Sequence, residues 1–404
     1  MDKIVILGAG QAAASAAAKL RALGFEGRLS VIGDEPVAPY QRPPLSKAYL
    51  LGEMEVERLI LRAQSWWEDE NINLLTGSTA QRIDREARQV GLRSGEVLDY
   101  DALILTLGAE ARRLPEEIGG HLPGVFVVRD LADVDAMAAE FQAGRRLAVI
   151  GGGYIGLEAA AVARKLGLEV TLIEAAPRIL GRVAAAETAD MIRALHLAHG
   201  VQIIEGAGVA RITGAGRAEG VALTDGRQIP ADFVITGIGI APRIALAEAA
   251  GLRIDNGIAC DAEGRTSDRA IWAAGDCASF PGEDGTQMRL ESVGGAIDMA
   301  ELVAGNILGA GQKYRPAPWF WSDQFDAKLQ IAGLGTGADQ IVRRQGDAEH
   351  GGSVWYYRAG RLIAVDALND ARAYMVGKRL IEAGRSPDPA RVGDSSVPVK
   401  ELLS

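Results

Sequence analysis

The apolar positions of this chain fall into short unbroken runs that end on glycine, rather than into one long periodic stretch. Ile4-Val5-Ile6-Leu7 runs into Gly8-Ala9-Gly10, and an alanine-rich helical pattern follows over residues 11–23. Gly24 stops that pattern, because glycine takes a positive φ without steric cost. Residues 28–32 read as the next strand. The same order returns more sharply at Leu147-Ala148-Val149-Ile150-Gly151-Gly152-Gly153-Tyr154-Ile155-Gly156-Leu157-Glu158, with a helical pattern as far as Leu166 and a further apolar run, 170–173, ending on Glu174. Runs that are apolar on both faces suit parallel strands buried between helices. The pattern therefore predicts an α/β protein with two Rossmann-like dinucleotide-binding domains.

Residues 55–107 alternate short strand and turn patterns and close on Leu103-Ile104-Leu105-Thr106-Leu107-Gly108. A crossover over 109–130 leads out of the first domain through Arg112-Arg113-Leu114-Pro115. Phe233-Val234-Ile235-Thr236 runs into Gly237-Ile238-Gly239, and Ile271-Trp272-Ala273-Ala274-Gly275-Asp276 reads as a strand that ends in Gly-Asp at a helix start. From about residue 316 the composition shifts to Pro316, Pro318, Trp319, Phe320 and Trp321, then strand patterns at 329–334, 353–357 and 362–365 and a helix over 370–383. The consecutive aromatics read as core on the base rates of aromatic burial. The expected domains are a discontinuous first dinucleotide-binding domain (1–108 and 232–315), a second (109–231) and a small α+β C-terminal domain (316–404).

Composition narrows the function. The 404 residues carry a net charge of −10, which argues against nucleic acid as a general partner, since phosphate binding needs a basic footprint. With 4 histidines and 2 cysteines, and without zinc-type or Cys-x-x-Cys spacing between Cys260 and Cys277, no metal site is expected. The apolar stretch after Met1-Asp2-Lys3 is too short for a signal sequence, and no run is long enough to span a membrane. The expected compartment is the cytoplasm, with no membrane partner.

Candidate chemistry lies at the glycine turns. Gly151, Gly153 and Gly156 form Gly-x-Gly-x-x-Gly, with Tyr154 and Ile155 in the helix start and Glu174 as the ribose-binding acid. A carboxylate there bonds a 2′-hydroxyl and repels a 2′-phosphate, which favours NADH, although Arg178 and Arg182 lie nearby in sequence. In the first fingerprint Gly8 and Gly10 are present, Ala13 or Ala14 replaces the third glycine, and Gly33 stands where an acid usually ends the strand, leaving Asp34 or Glu35 to reach a ribose. In Tyr40-Gln41-Arg42-Pro43-Pro44-Leu45-Ser46-Lys47 the prolines should exclude a helix before Leu45 and hold Arg42 and Lys47 in defined places, where a cation can stabilise a reduced flavin. Asp276 is placed to accept a hydrogen bond from a ribityl hydroxyl, and Gly239 is a further candidate for backbone approach to a cofactor. Two fingerprints, a returning Gly-Asp and a separate C-terminal domain point to two dinucleotides and hydride transfer from nicotinamide to flavin.

On Arg42-Pro43-Pro44-Leu45-Ser46-Lys47, Gly151 to Glu158, Ala274-Gly275-Asp276-Cys277, Glu291-Ser292-Val293 and Pro318-Trp319-Phe320-Trp321-Ser322-Asp323-Gln324, nearly the whole chain resembles the flavin-dependent ferredoxin reductases of bacterial oxygenase systems, the putidaredoxin reductase-like group. That resemblance implies a glutathione-reductase-like fold. It also implies electron flow from NADH through FAD to a [2Fe–2S] ferredoxin that serves a haem-thiolate monooxygenase or a Rieske oxygenase. By motif it assigns FAD contacts to Ala12, Asp34, Lys47, Ala80, Arg129, Asp276 and Val293, and puts Arg42 and one or both of Trp319 and Trp321 near the ring. Lys47 would lie by flavin N5, paired with Glu158, as the catalytic pair that admits the nicotinamide. The chain departs from the family at Thr106-Leu107-Gly108, Gly295 and Met299, which removes side-chain contacts the family often makes there. Exposed bases on or near the C-terminal domain (Lys313, Arg315, Arg343, Arg344, Lys378, Arg379) are candidates for docking an acidic ferredoxin.

A disulfide reductase would need a cysteine pair beside the flavin, and Cys260 and Cys277 lie far apart in sequence on different elements. An apoptosis-inducing-factor-like binding module typically adds targeting segments and a basic surface, neither of which is present here; a rubredoxin reductase is a further alternative. For the oligomeric state, a monomer or weak dimer is the expectation.

Overall fold

The computed structural model describes residues 1–282, 285–346 and 351–403, and these fall into two compact units. The first comprises Met1–Arg42, Glu55–Glu110 and Ala241–Pro318. Its centre is a parallel five-stranded sheet in the order Ile271–Ala273, Ala102–Leu105, Lys3–Leu7, Arg28–Ile32, Ile72–Leu75. The strands read from sequence are buried throughout their apolar runs. The helix Gln11–Ala22 buries Ala12, Ala13, Ala14, Ala16 and Ala17, and such small side chains let it lie close against the helix Val293–Ile307. Where the sequence suggested only strands and turns after residue 55, two short helices, Val56–Leu59 and Gln64–Asp69, come first, the second burying Trp67 completely. Helices this short show no 3.6-residue period to read.

The second unit comprises Pro43–Met54, Ala111–Ile240 and Trp319–Ser404. A parallel sheet runs in the order Gln202–Glu205, Glu169–Glu174, Arg146–Ile150, Phe233–Thr236, Val125–Phe126. Phe233–Thr236, expected in the first dinucleotide domain, therefore belongs to this sheet, where Ile150 pairs with Thr236. A run buried on both faces shows that it is a central strand, but not which parallel neighbour it takes. Pro43–Ser46 forms a 3-10 turn, where the sequence reading excluded a helix before Leu45. Proline suits the first position of such a turn, since its missing N–H has no partner there.

An antiparallel sheet follows in the order Trp319–Gln324, Ala327–Gly333, Arg361–Leu368, Gly352–Arg358, Gln340–Gln345, covered by the helix Ala371–Glu382. The strand Gln340–Gln345 escaped the sequence reading because Arg343-Arg344 breaks its apolar pattern. Arg344 is 4% exposed and donates to the carbonyls of Val392 (2.9 Å), Asp394 (2.8 Å) and Val397. It ties down the C-terminal segment and, buried, cannot dock a partner as the sequence suggested. Among the described residues no helix is long and apolar enough to cross a membrane, and no cluster of acids, histidines or cysteines could hold a metal ion.

Asp366 is buried in the second unit, accepting hydrogen bonds from Thr188 (2.7 Å) and Tyr356. Burial raises its carboxyl to about 6, while the two hydroxyl donors work in the opposite direction. The folded form thus holds its proton at a pH where the unfolded chain has released it, so stability falls as pH rises from the unfolded to the folded pKa. Asp366→Asn should remove about 2 kcal/mol from the difference in unfolding free energy between about pH 4 and about pH 7, measured by urea denaturation. An unchanged pH dependence would refute the assignment.

Candidate functional site

In the first unit the glycine turn is shaped by contacts that only glycine permits. Gly8 has φ +99°, and a Cβ there would lie 2.1 Å from the Thr106 carbonyl oxygen. The Thr106 hydroxyl, 3.0 Å from both, can donate to the carbonyls of Leu7 and Gly8, a support for the loop that the sequence reading noted only as a departure. Gly10 caps the helix Gln11–Ala22 with no side-chain bond, and the space where its Cβ would stand is open. A helix start of this kind, with backbone amides facing open space, fits a pyrophosphate. Gly33 carries no acid because a Cβ there would meet the Cβ of Ala9 at 2.4 Å.

Gly275, at φ +79°, brings the Gly-Asp turn against the same helix start, its missing Cβ 3.1 Å from the Cβ of Ala12 and 3.8 Å from that of Ala296. No helix follows Asp276; the chain turns into the strand Ala278–Pro281. The helix at this place is Val293–Ile307, whose cap Ser292 accepts from the Gly295 N–H at 3.0 Å. Glycine, alanine and aspartate at a strand end do not by themselves show which helix start lies beside them. Met299 is core, and Asp276 and Val293 are half-buried. Asp34 is exposed and pairs with Arg243 at 2.9 Å. Glu35 accepts from Tyr40 at 2.5 Å and pairs with Arg42, whose guanidinium lies over the Tyr40 ring. Ala80 begins the strand Ala80–Asp84 and is half-buried. The glycine cradle, the Gly-Asp turn and the Val293 helix start fit one dinucleotide.

The second unit repeats the cradle. A Cβ on Gly151 (φ +105°) would lie 2.4 Å from the Gly237 carbonyl oxygen, and one on Gly156 2.1 Å from that of Gly151. Gly153 caps the helix Tyr154–Lys165 over open space, and Ile155 beside it is 41% exposed. Glu174 grips the loop from both oxygens, accepting from the N–H of Gly152 and of Ala176 at 2.7 Å each. This cradle also fits a dinucleotide. Arg178 is engaged with backbone carbonyls, at 2.8 Å to Ala184 and 3.4 Å to Ala185, whereas Arg182 is exposed. Gly239, at φ +96°, accepts from the Arg112 N–H at 2.9 Å. Arg129 is half-buried, and its backbone N–H donates to Asp133 at 3.1 Å.

Glu158, in the second turn of that helix, is 2% exposed. Its Oε2 faces Lys47 Nζ at 2.7 Å and accepts from Ser46 at 2.5 Å; its Oε1 accepts from Ser322 at 2.6 Å. Burial raises the carboxyl above its ordinary range, and the Lys47 ammonium with the hydroxyls of Ser322 and Ser46 opposes that rise. The structure thus brings together Lys47 and Glu158, which the sequence reading paired, and adds Ser46 and Ser322, which it did not single out. The strand Trp319–Gln324 explains Ser322. Alternation turns Phe320, Ser322 and Gln324 to one face, towards Tyr154, Glu158 and His196 respectively. Trp319 and Trp321 share the other face, stacked with centroids 5.4 Å apart, with the Lys378 ammonium over Trp319. Both indoles are half-exposed rather than core. Lys313, Arg315, Arg343 and Arg379 are exposed.

The pyridine nucleotide-disulphide oxidoreductase family model matches residues 2–300, and the reductase C-terminal model matches residues 319–403. The chain is 44% identical to a ferredoxin–NAD(P)+ reductase of a Sphingomonas species, over 99% of this chain and 97% of that protein. It is 42% identical to rhodocoxin reductase of Rhodococcus erythropolis, over 99% and 94%. Among solved structures, putidaredoxin reductase in its covalent complex with putidaredoxin matches with a TM-score of 0.95 at 40% identity, over 100% of this chain and 98% of that one. With two glycine cradles each built for a dinucleotide, and a second family model matching the antiparallel C-terminal sheet, the chain belongs to the pyridine nucleotide-disulphide oxidoreductase family over residues 2–300 and carries a reductase C-terminal domain over residues 319–403.

Proposed function

We propose that the protein is a cytoplasmic NADH-dependent ferredoxin reductase that passes electrons from NADH through FAD to a [2Fe–2S] ferredoxin serving a haem-thiolate monooxygenase or a Rieske oxygenase. The observation that carries this reading is the buried Lys47–Glu158 pair beside a dinucleotide cradle, in a chain whose relatives bear the names of ferredoxin and rhodocoxin reductases. FAD supplies the chemistry that joins a two-electron donor to a one-electron acceptor.

The chain's own residues do the rest. Gly8, Gly10, Ala12, Asp276 and Val293 would hold the flavin dinucleotide, and the family resemblance adds Asp34, Arg42, Ala80, Arg129, Trp319 and Trp321 as candidates. Gly151, Gly153, Tyr154, Ile155, Gly156 and Glu174 hold NADH, with Arg182 and Gly239 at the edge. Glu174 already presents both oxygens to the loop, so a 2′-hydroxyl meets an acceptor and a 2′-phosphate meets a like charge. The Lys47 ammonium would supply the positive charge that stabilises a reduced flavin, and Glu158 sets the position of that ammonium. Removing one partner from a buried ion pair is costly. Here Ser46 and Ser322 continue to hold Glu158 when the ammonium turns away, which lets the pair work as a switch that admits the nicotinamide.

Disulphide chemistry, which the family name includes, finds no nucleophile here. Cys260 and Cys277 are free and buried. Burial pushes the Cys277 thiol up to about 11 and raises that of Cys260 further, so both stay protonated at neutral pH.

Three measurements test these assignments. The purified yellow protein should reduce a [2Fe–2S] ferredoxin with NADH at a rate that falls with ionic strength, while ferricyanide reduction stays constant. Slow turnover without ferredoxin reduction, together with dimerisation on NADH, would point to the binding-module alternative. Lys47→Met should retain FAD yet slow flavin reduction roughly a hundredfold in stopped flow; unchanged kinetics would remove Lys47 from the mechanism. Glu174→Ala should narrow the NADH over NADPH preference in kcat/KM by about tenfold, the worth of one charged hydrogen bond, and a constant ratio would refute its role.

A further inference from the structure

We propose that Ser322, Gln324 and His196 are positioning residues for Glu158, a hydrogen-bond chain from the C-terminal sheet and the helix Ala186–Ala198 that fixes the carboxylate against Lys47. The proposal rests on the reading of Lys47–Glu158 as the pair that governs hydride transfer. Ser322 and His196 are 0% exposed and Gln324 is 1% exposed, so bulk water cannot substitute for any link. The distances run 2.6 Å from Ser322 Oγ to Glu158 Oε1, 3.0 Å from Gln324 Nε2 to Ser322 Oγ, and 2.7 Å from His196 Nε2 to Gln324 Oε1.

The charge on Glu158 sets the direction of every link. An ionised carboxylate only accepts, so the Ser322 hydroxyl must donate to it. Its oxygen is then left to accept, which turns the Gln324 amide nitrogen towards Ser322 and the amide oxygen towards His196. His196 must therefore carry a proton on Nε2, and it is neutral where Nδ1 is bare. Nδ1 is buried and has no hydrogen-bond partner among the described residues, the arrangement that suits a bare nitrogen and not an N–H. Burial also lowers the imidazole's pKa to about 4. His199 on the same helix adds to that lowering; it stacks on Phe325, which also packs edge-on against His196, and lies 3.9 Å from Asp326. The chain thus makes the remote histidine a reporter of the Glu158 carboxylate.

The test uses the FAD-loaded protein. Ser322→Ala and Gln324→Leu should each lower the limiting rate of flavin reduction by NADH about tenfold, the worth of one hydrogen bond to a charged group. The NADH dissociation constant should hardly move, and Ser322→Thr should restore the rate. In the Glu158→Gln background Ser322→Ala should have no further effect. Independently of activity, 15N NMR of histidine-labelled wild-type protein should show His196 as the neutral Nε2–H tautomer at neutral pH, and Gln324→Leu should release that tautomer. A protonated or Nδ1–H His196 in the wild type overturns the chain, whether or not the variants fold. Full rates in Ser322→Ala and Gln324→Leu, with Lys47→Met and Glu158→Gln slow, overturn the positioning role and leave the Lys47–Glu158 reading intact. Full rates in Lys47→Met and Glu158→Gln overturn that reading itself, while the His196 tautomer still reports whether the chain exists.

Discussion

A carboxylate with almost no exposure to water is the constraint around which the second unit is arranged. Glu158 can stay ionised there only if its oxygens are met by charge and hydrogen bonds, because burial alone favours the protonated form. Two separated pieces of chain answer that demand for the helix that carries Glu158: Ser46 and Lys47 at the end of the Pro43–Ser46 turn, and Ser322 from the strand Trp319–Gln324. The turn and the strand keep their places because a bare buried carboxylate is costlier than the order needed to satisfy it. The C-terminal sheet thereby takes part in holding the buried carboxylate. Its first strand turns one face to the carboxylate and gives its other face to the two indoles.

The two glycine cradles obey one steric rule and differ where it can be met in two ways. Gly8 and Gly151 each leave room for a carbonyl of the neighbouring strand's end, Thr106 in one and Gly237 in the other. One position later the solutions are complementary. In the second cradle Gly152 has no Cβ and its N–H meets the acid Glu174; in the first, Ala9 keeps its Cβ, and Gly33 gives up a side chain to make room. The missing acid at the end of the strand Arg28–Ile32 is therefore a packing consequence of Ala9. Reading Gly33 as a weakened motif missed that compensation, since the two positions are far apart along the chain.

Apolar runs ending on glycine were sufficient to place the strands Lys3–Leu7, Arg28–Ile32, Arg146–Ile150 and Glu169–Glu174, the helices Gln11–Ala22 and Tyr154–Lys165, and the acid Glu174, because strand burial, helix starts and glycine turns are governed by neighbouring residues. Likewise, the family motifs named Lys47 and Glu158 as partners before any distance was known. Tertiary structure decided what depends on contacts between distant residues. It gave Phe233–Thr236 to the second sheet, put Val293–Ile307 rather than a helix after Asp276 beside the first cradle, and turned Arg344 inward onto three carbonyls. It also brought Ser46, Ser322, Gln324 and His196 to one buried carboxylate. Ser46, Ser322 and Gln324 stand inside the family motifs and His196 in none, but no motif says which group each side chain meets. That role arises only where folding removes water and leaves a particular donor facing a particular acceptor.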